Sequence, residues 1–304
     1  MTVPTTVTLP HDEPQRLRAI LQRLGLSGIV DVHTHFMPER VMAKVWNYFD
    51  QAALTAGRAW PIAYRFDEVE RLRRLRDLGV ETFTSMVYPH KPGMAAWLND
   101  WASEFAARTP DCLHTATFFA EPSAGTDVQR ALDDGARIFK AHVQVGGYDP
   151  TDPLLDPVWE AIEAAGAPVV LHAGSGPQPG RHTGPGPIAE VLRRHPQLAL
   201  VIAHMGMPEY REFLDLAERY PRVHLDTTMA FTSFTEHQHP FPTDEHQRLD
   251  DLADRIVFGS DYPNIPYPYL TAVEAIDALG FGDAWTADVL SHNARRLLDL
   301  ADGV

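Results

Sequence analysis

One pattern restricts the fold more than any other feature of this chain. A short apolar run, a polar or Gly/Pro-bearing loop and a stretch with helical spacing recur in that order. The apolar runs fall at residues 28–33, 80–88, 112–119, 136–143, 167–172, 198–204, 222–226 and 255–259. Helical spacing is expected over 66–78, 94–108, 127–134, 156–165, 188–194, 208–219 and 244–253, with two more stretches at 270–279 and 286–300. Runs that are apolar throughout suit strands buried on both faces, and their alternation with helices implies a parallel sheet covered by helices. Eight such units predict an α/β fold, specifically a (β/α)8 TIM barrel. The alternative, an open doubly wound sheet, wants a glycine-rich loop after its first strand. Here that loop is His33-Thr34-His35-Phe36-Met37-Pro38, which has no glycine. The barrel is expected over residues 28–304, after an N-terminal arm and leading helix over 1–27.

Charge narrows the partners. The 304 residues carry 41 acidic against 26 basic side chains, a formal net charge of −15. That argues against nucleic-acid and anionic-membrane partners, both of which attract Lys and Arg. It leaves room for an anionic small-molecule substrate, because a local cation can override the global field. A homo-oligomer is left open. No stretch approaches the ~18 apolar residues of a membrane span. Residues 1–14 show no basic start followed by an apolar block, so a cytoplasmic location is expected. The single cysteine, Cys112, cannot form an intrachain disulfide and reads as a small buried hydrophobe.

Barrel enzymes carry their chemistry at the C-terminal ends of the strands. The first run ends in Asp31-Val32-His33-Thr34-His35, and residues two apart on a strand share a face. The fifth, sixth and eighth runs end in His172, His204 and Asp261. Singly, each histidine also reads as a strand-end residue bonded to a loop carbonyl, and Asp261 as a turn or cap residue. Jointly, four strands place a ligand type at one end, and imidazoles with a carboxylate suit one divalent metal, zinc first, with manganese or iron as alternatives. Lys140 and His142 share a face of the fourth run. His90, Glu121, Asp226, Arg181 and His182 lie near strand ends, and each reads equally as pocket lining or as solvated loop. The long loops at 40–64, 174–187 and 227–243 are expected to wall the pocket.

The pieces Asp31-Val32-His33-Thr34-His35-Phe36-Met37-Pro38, Phe139-Lys140-Ala141-His142, Val169-Val170-Leu171-His172-Ala173-Gly174, Ile202-Ala203-His204-Met205-Gly206, Phe258-Gly259-Ser260-Asp261-Tyr262-Pro263 and the tail around Asn293 and Arg295 resemble the amidohydrolase superfamily. The branch resembled is the amidohydrolase-related one that includes aminocarboxymuconate semialdehyde decarboxylase. The resemblance implies a (β/α)8 fold and a mononuclear metal held by His33, His35, His172 and Asp261. It implies an acid/base or electrostatic role for His204 beside Asp261. Lys140 is expected as an unmodified ammonium near the site; the alternatives are a carboxylated lysine bridging two metals, or a pair with Asp31. The activity implied is metal-dependent hydrolysis of a small carboxylated compound, with non-oxidative decarboxylation as the alternative. Lys140, His142, His90 and Arg181 form the expected substrate-facing set. Arg181, in the loop Gly180-Arg181-His182-Thr183-Gly184, is expected to receive the substrate carboxylate, because a guanidinium fork matches a carboxylate bidentately.

Overall fold

Every apolar run becomes a barrel strand in the computed structural model, which describes residues 7–55 and 57–301. The first six residues of the expected arm lie outside the described residues. The strands are β1 (Ile29–Asp31), β2 (Val80–Thr84), β3 (Cys112–Leu113), β4 (Thr115–Thr117), β5 (Ile138–His142), β6 (Val169–His172), β7 (Leu200–Ile202), β8 (Val223–Asp226) and β9 (Ile256–Val257). β3 and β4 are one run interrupted at His114, which divides the ladder into β1-β2-β3 and β4-β5-β6-β7-β8-β9, all neighbours parallel. The ring closes between its ends. Val32 N donates to Phe258 O at 3.1 Å, Asp261 N donates to His33 O at 2.8 Å, and Thr34 bridges Tyr262 in parallel. Closure removes the sheet edges.

The period of two along each strand sorts side chains between two cores. Phe139, Val169, Leu171, Leu200, Val223 and Leu225 face outward against Leu75, Phe105, Val128, Ile162, Val191 and Phe213 of the surrounding helices. Val30, Ile138, Val170, Val201 and Val257 fill the barrel interior, with Ala294 and Leu298 of the last helix packed against them. Each such side chain contributes about 1.5–3 kcal/mol on burial. The same alternation turns Lys140, His142 and His172 inward, one turn of the pattern above Ile138 and Val170. The inner core thus ends where the polar centre begins.

Two elements differ from the sequence expectation. Residues 40–64 are not a plain loop: a helix spans Glu39–Asp50 and a short one Ala52–Thr55. Val41, Val45, Tyr48 and Phe49 have helical spacing; Val41 and Val45 pack on a cluster that includes Met94, Leu98 and Ala102, and all four also line the mouth of the barrel. The stretch at 286–300 is broken by a π-helical turn at Asp288–His292 between Asp283–Ala287 and Asn293–Leu298.

The leading helix, Glu13–Leu24, is tied to β1 by a buried relay. Glu13 Oε1 accepts from Tyr64 OH at 2.7 Å and from Leu270 N at 3.0 Å. Tyr64 OH accepts from Tyr269 N at 2.7 Å, and Tyr269 OH donates to Asp31 Oδ2 at 2.8 Å. Glu13→Ala removes the only acceptor for the Tyr64 hydroxyl among the described residues and leaves a buried donor unpaired. The expected cost is about 1–3 kcal/mol, read as a shift of the urea midpoint. A change within ~0.5 kcal/mol would show the relay to be dispensable.

Candidate active site

His33 and His35 extend β1 beyond its last ladder residue, and backbone contacts fix them. Asp31 Oδ1 accepts from His33 N and Ser260 N, each at 3.1 Å. His35 N donates to Tyr262 O at 2.6 Å, and Thr34 bonds to Thr84 through both its amide and its hydroxyl. Gly259 lets the ends of β1 and β9 approach: a Cβ there would lie 2.7 Å from that of His33 and closer still to the Thr228 hydroxyl. His204 and Asp261 sit at φ +56° and +70°, where a residue other than glycine is held only when its surroundings impose it.

Hydrogen bonds assign the imidazole tautomers. His33 Nδ1–H donates to Asp226 Oδ2 at 2.8 Å, which leaves Nε2 as a lone pair facing the Lys140 ammonium at 3.0 Å. His35 Nδ1–H donates to Met86 O at 2.8 Å, which leaves Nε2 as a lone pair 2.9 Å from Asp261 Oδ1. Two acceptors that close require a proton or a cation between them. Ligand atoms of His33, His35 and Asp261 all lie within 4.8 Å of one another, and all three residues are buried. Outer nitrogens held by a carboxylate and a carbonyl, with the lone pairs of the inner nitrogens turned to the centre, are the arrangement metal-ligating histidines need. The donor set therefore fits a divalent ion.

The other inward side chains complete the floor. His204 Nδ1 faces Thr228 O at 3.1 Å, so its Nε2 is the basic atom. His172 Nε2 donates to Gly176 O at 2.9 Å, which leaves Nδ1 free among the described residues. Its ring stacks on His142 with centroids 4.0 Å apart, as the directly opposed register of β5 and β6 dictates. His142 Nδ1 accepts from Val145 N at 3.4 Å, so its Nε2–H is a donor. Burial lowers the pKa of His33, His142, His172 and His204, and Lys140 or a neighbouring imidazole lowers it further, so these rings stand neutral and able to coordinate. Burial pushes Asp261 up, but the proton or cation that has to stand between its Oδ1 and His35 Nε2, among the surrounding imidazoles, more than offsets it and holds the carboxylate at about 2. Burial pulls Lys140 down to about 8 against the opposing pull of Asp226 and Asp261.

These residues floor a cavity of about 790 Å3 that opens at the C-terminal end of the barrel. Lys140, His142 and His90 line it, as expected from the sequence, with His90 at the exposed mouth. Lys140 points at the centre and not at Asp31, whose oxygens are taken by His33, Ser260 and Tyr269. Arg181 is a correction. It is exposed and does not line the cavity. Bonds of Thr183 Oγ1 to Gly180 and of Gly184 N to Ala173 O fold the loop back on itself and leave Arg181 at its outer turn. Nor do Glu121, which accepts from Gly93 N, or His182, which pairs with Asp149, reach the cavity lining. Asp226 does more than the sequence showed, since it holds His33 through one oxygen and the amides of His204 and Thr228 through the other. Asp226→Asn removes the charge behind His33. Metal affinity is expected to fall ~10–100-fold, the usual effect of such a partner, as read by competition with a chromogenic chelator; unchanged affinity would show that Asp226 serves only the fold.

Residues 30–300 match the family described as amidohydrolase. The chain belongs to the amidohydrolase family. It is accordingly a metal-dependent enzyme, and the buried His33–His35–Asp261 cluster is where a divalent metal fits. No curated protein sequence matches it. Solved structures share the family's barrel at low identity. An uncharacterised TIM-barrel protein of Bordetella bronchiseptica is 23% identical over 90% of this chain and 99% of its own, with a TM-score of 0.73. A 5-carboxyvanillate decarboxylase of Novosphingobium aromaticivorans, in complex with manganese and a nitrobenzoic acid, is 14% identical over 91% and 97%, with a TM-score of 0.64. A Pseudomonas putida protein given as a 2-pyrone-4,6-dicarboxylic acid hydrolase is 19% identical over 90% and 98%, with a TM-score of 0.60. At these identities the likeness shows the fold. No helix among the described residues is long and apolar enough to cross a membrane.

Proposed function

We propose that this amidohydrolase-family enzyme is a hydrolase acting on a carboxylated organic substrate, with one divalent ion held by His33, His35, His172 and Asp261. The observation that carries this reading is the pair of inward lone pairs, His33 Nε2 beside Lys140 and His35 Nε2 against Asp261 Oδ1, at the floor of the cavity. Such a donor set wants a cation. Nitrogen and carboxylate ligands favour zinc, with manganese and iron as alternatives. A divalent ion bound there supplies Lewis-acid charge that acidifies water and polarises a scissile carbonyl.

The chain's own groups do the rest. His204 Nε2 is an unprotonated base whose ring centroid lies 5.3 Å from that of His33, placed to take a proton from water and return it to the leaving group. Asp261 shares that proton handling from the other side. His142 Nε2–H and the Lys140 ammonium can donate to oxygens of the substrate. His172, with a free Nδ1, is the proposed fourth protein ligand.

A second reading, non-oxidative decarboxylation, is favoured by the apolar side chains that line the cavity, Val41, Val45, Phe49 and Trp60 among them. A carboxylate desolvated there loses charge on becoming CO2, and the neighbour with manganese bound is named a decarboxylase. The test is turnover of a panel of amides, lactones and aromatic acids in H2(18)O. Hydrolysis places one 18O in the product acid. Release of CO2 with solvent hydrogen on the vacated carbon selects decarboxylation instead, and no turnover of any panel member by metal-loaded protein contradicts both.

A further inference from the structure

The charge of the cavity mouth is opposite to that of the protein. Among the described residues Asp261 is the only acidic residue lining the cavity, although the chain carries 41. Arg40, Lys44 and Lys91 line its exposed outer part. Arg40 and Lys44 are four apart and share one flank of the helix Glu39–Asp50. No ion pair or side-chain hydrogen bond joins any of the three to the described residues, whereas most other arginines of the chain are paired with carboxylates. Three unneutralised cations at the mouth of an acidic molecule focus an anion into it.

Between mouth and floor the wall is apolar. Phe49 stacks on Trp60 at 5.1 Å, and Trp60 meets Phe234 edge-on at 4.9 Å, one aromatic surface built from two segments distant in the chain. Trp60 is anchored by its indole N–H to Asn264 O at 2.7 Å. Tyr48, whose ring meets that of Phe49 at 6.0 Å, and Trp97 also line the cavity and stand 52% and 42% exposed. The volume of about 790 Å3 is roughly five times the ~150 Å3 that accommodates benzene.

We infer that the substrate is an amphipathic organic anion whose apolar body is larger than a single ring. Its reacting group reaches the His/Asp floor, the aromatic wall covers its body, and a negative group stays at the mouth on Arg40, Lys44 and Lys91. This rests on the reading of the cavity as the active site and specifies the class of substrate it takes. The role first assigned to Arg181 passes to these three cations.

The experiment is isothermal titration calorimetry of the metal-loaded protein with three probes: biphenyl-4-carboxylate, benzoate and the neutral biphenyl-4-methanol. The biphenyl acid is expected to bind at least ~tenfold more tightly than benzoate, for the extra apolar area covered, and than the alcohol, for its charge. The triple variant Arg40→Gln/Lys44→Gln/Lys91→Gln, all at exposed positions, is expected to lose about tenfold for the biphenyl acid and to leave the neutral alcohol unchanged. Val45→Trp, which narrows the apolar part, is expected to weaken both biphenyl probes and spare benzoate. Equal binding of benzoate and the biphenyl acid, equal binding of acid and alcohol, or an unaffected triple variant would overturn the inference. Binding is read without turnover. Its failure in protein that holds metal and turns over a panel substrate leaves the hydrolase reading standing, and success in protein without metal does the reverse.

Discussion

His33→Ala is expected to hold less than about a tenth of the wild-type metal and to turn over at least ~10^3-fold more slowly. A Lewis acid at the reacting oxygen is worth several kcal/mol, and about 4 kcal/mol corresponds to that factor. The imidazole is hard to replace. Its Nδ1 is held by Asp226 at 2.8 Å, its amide by Asp31, and its carbonyl accepts from Asp261 N, so the residue joins the first and last strands of the ring as well as offering Nε2. Loss of fold could imitate loss of metal. Asp261→Asn is therefore the companion variant, because it keeps volume and backbone and removes only the carboxylate charge; asparagine also tolerates the φ of +70° at that position. Elemental analysis with far-UV circular dichroism on both variants decides the matter. Wild-type metal content in either folded variant would exclude that residue from the ligand set.

His204→Asn is expected to behave differently: metal kept, kcat reduced at least ~100-fold, the usual scale for a positioned acid/base group. The backbone there has φ +56° and its amide donates to Asp226 Oδ1 at 2.8 Å, an arrangement asparagine can keep. What it cannot keep is the basic Nε2. Metal loss as large as in His172→Ala would move His204 into the ligand set. Full metal with full kcat would make it a structural histidine bonded to the Thr228 carbonyl.

The strands were legible because continuous apolar runs leave little choice. Val169-Val170-Leu171 and Leu200-Val201-Ile202 bury both faces, and only a covered parallel sheet offers that. The end of the fifth run was legible for the same reason: once Val170 is known to be interior, His172 points along the same axis, whereas His33 and His35 lie past the last ladder residue of β1 and are turned by their own backbone contacts. What lay outside the sequence was position in space. Asp226 carries no local sign that one of its oxygens holds the His33 ring and the other the amides of His204 and Thr228. Arg181 had the right chemistry in a glycine-bounded loop, yet its orientation depends on Thr183 and Gly184 closing that loop beneath it. The helix Glu39–Asp50 was hidden because much of its apolar stripe lines a cavity, so Val41, Val45 and Phe49 stay half-buried and the stretch resembled a long loop. Arg40, Lys44, Tyr48 and Phe49 come from that helix, but Trp60, Lys91, Trp97 and Phe234 come from other segments, and no spacing along the chain brings these together with it.

The central claim is that the His/Asp floor is a metal site on which the activity depends. The most direct measurement is elemental analysis of the protein purified without chelator, followed by removal of metal with a strong chelator and titration back with zinc, manganese and iron(II). The account predicts close to one equivalent of a divalent transition metal per chain, activity lost with the metal, and activity restored at one added equivalent. Metal-free protein that turns over its substrate at the undiminished rate would contradict it.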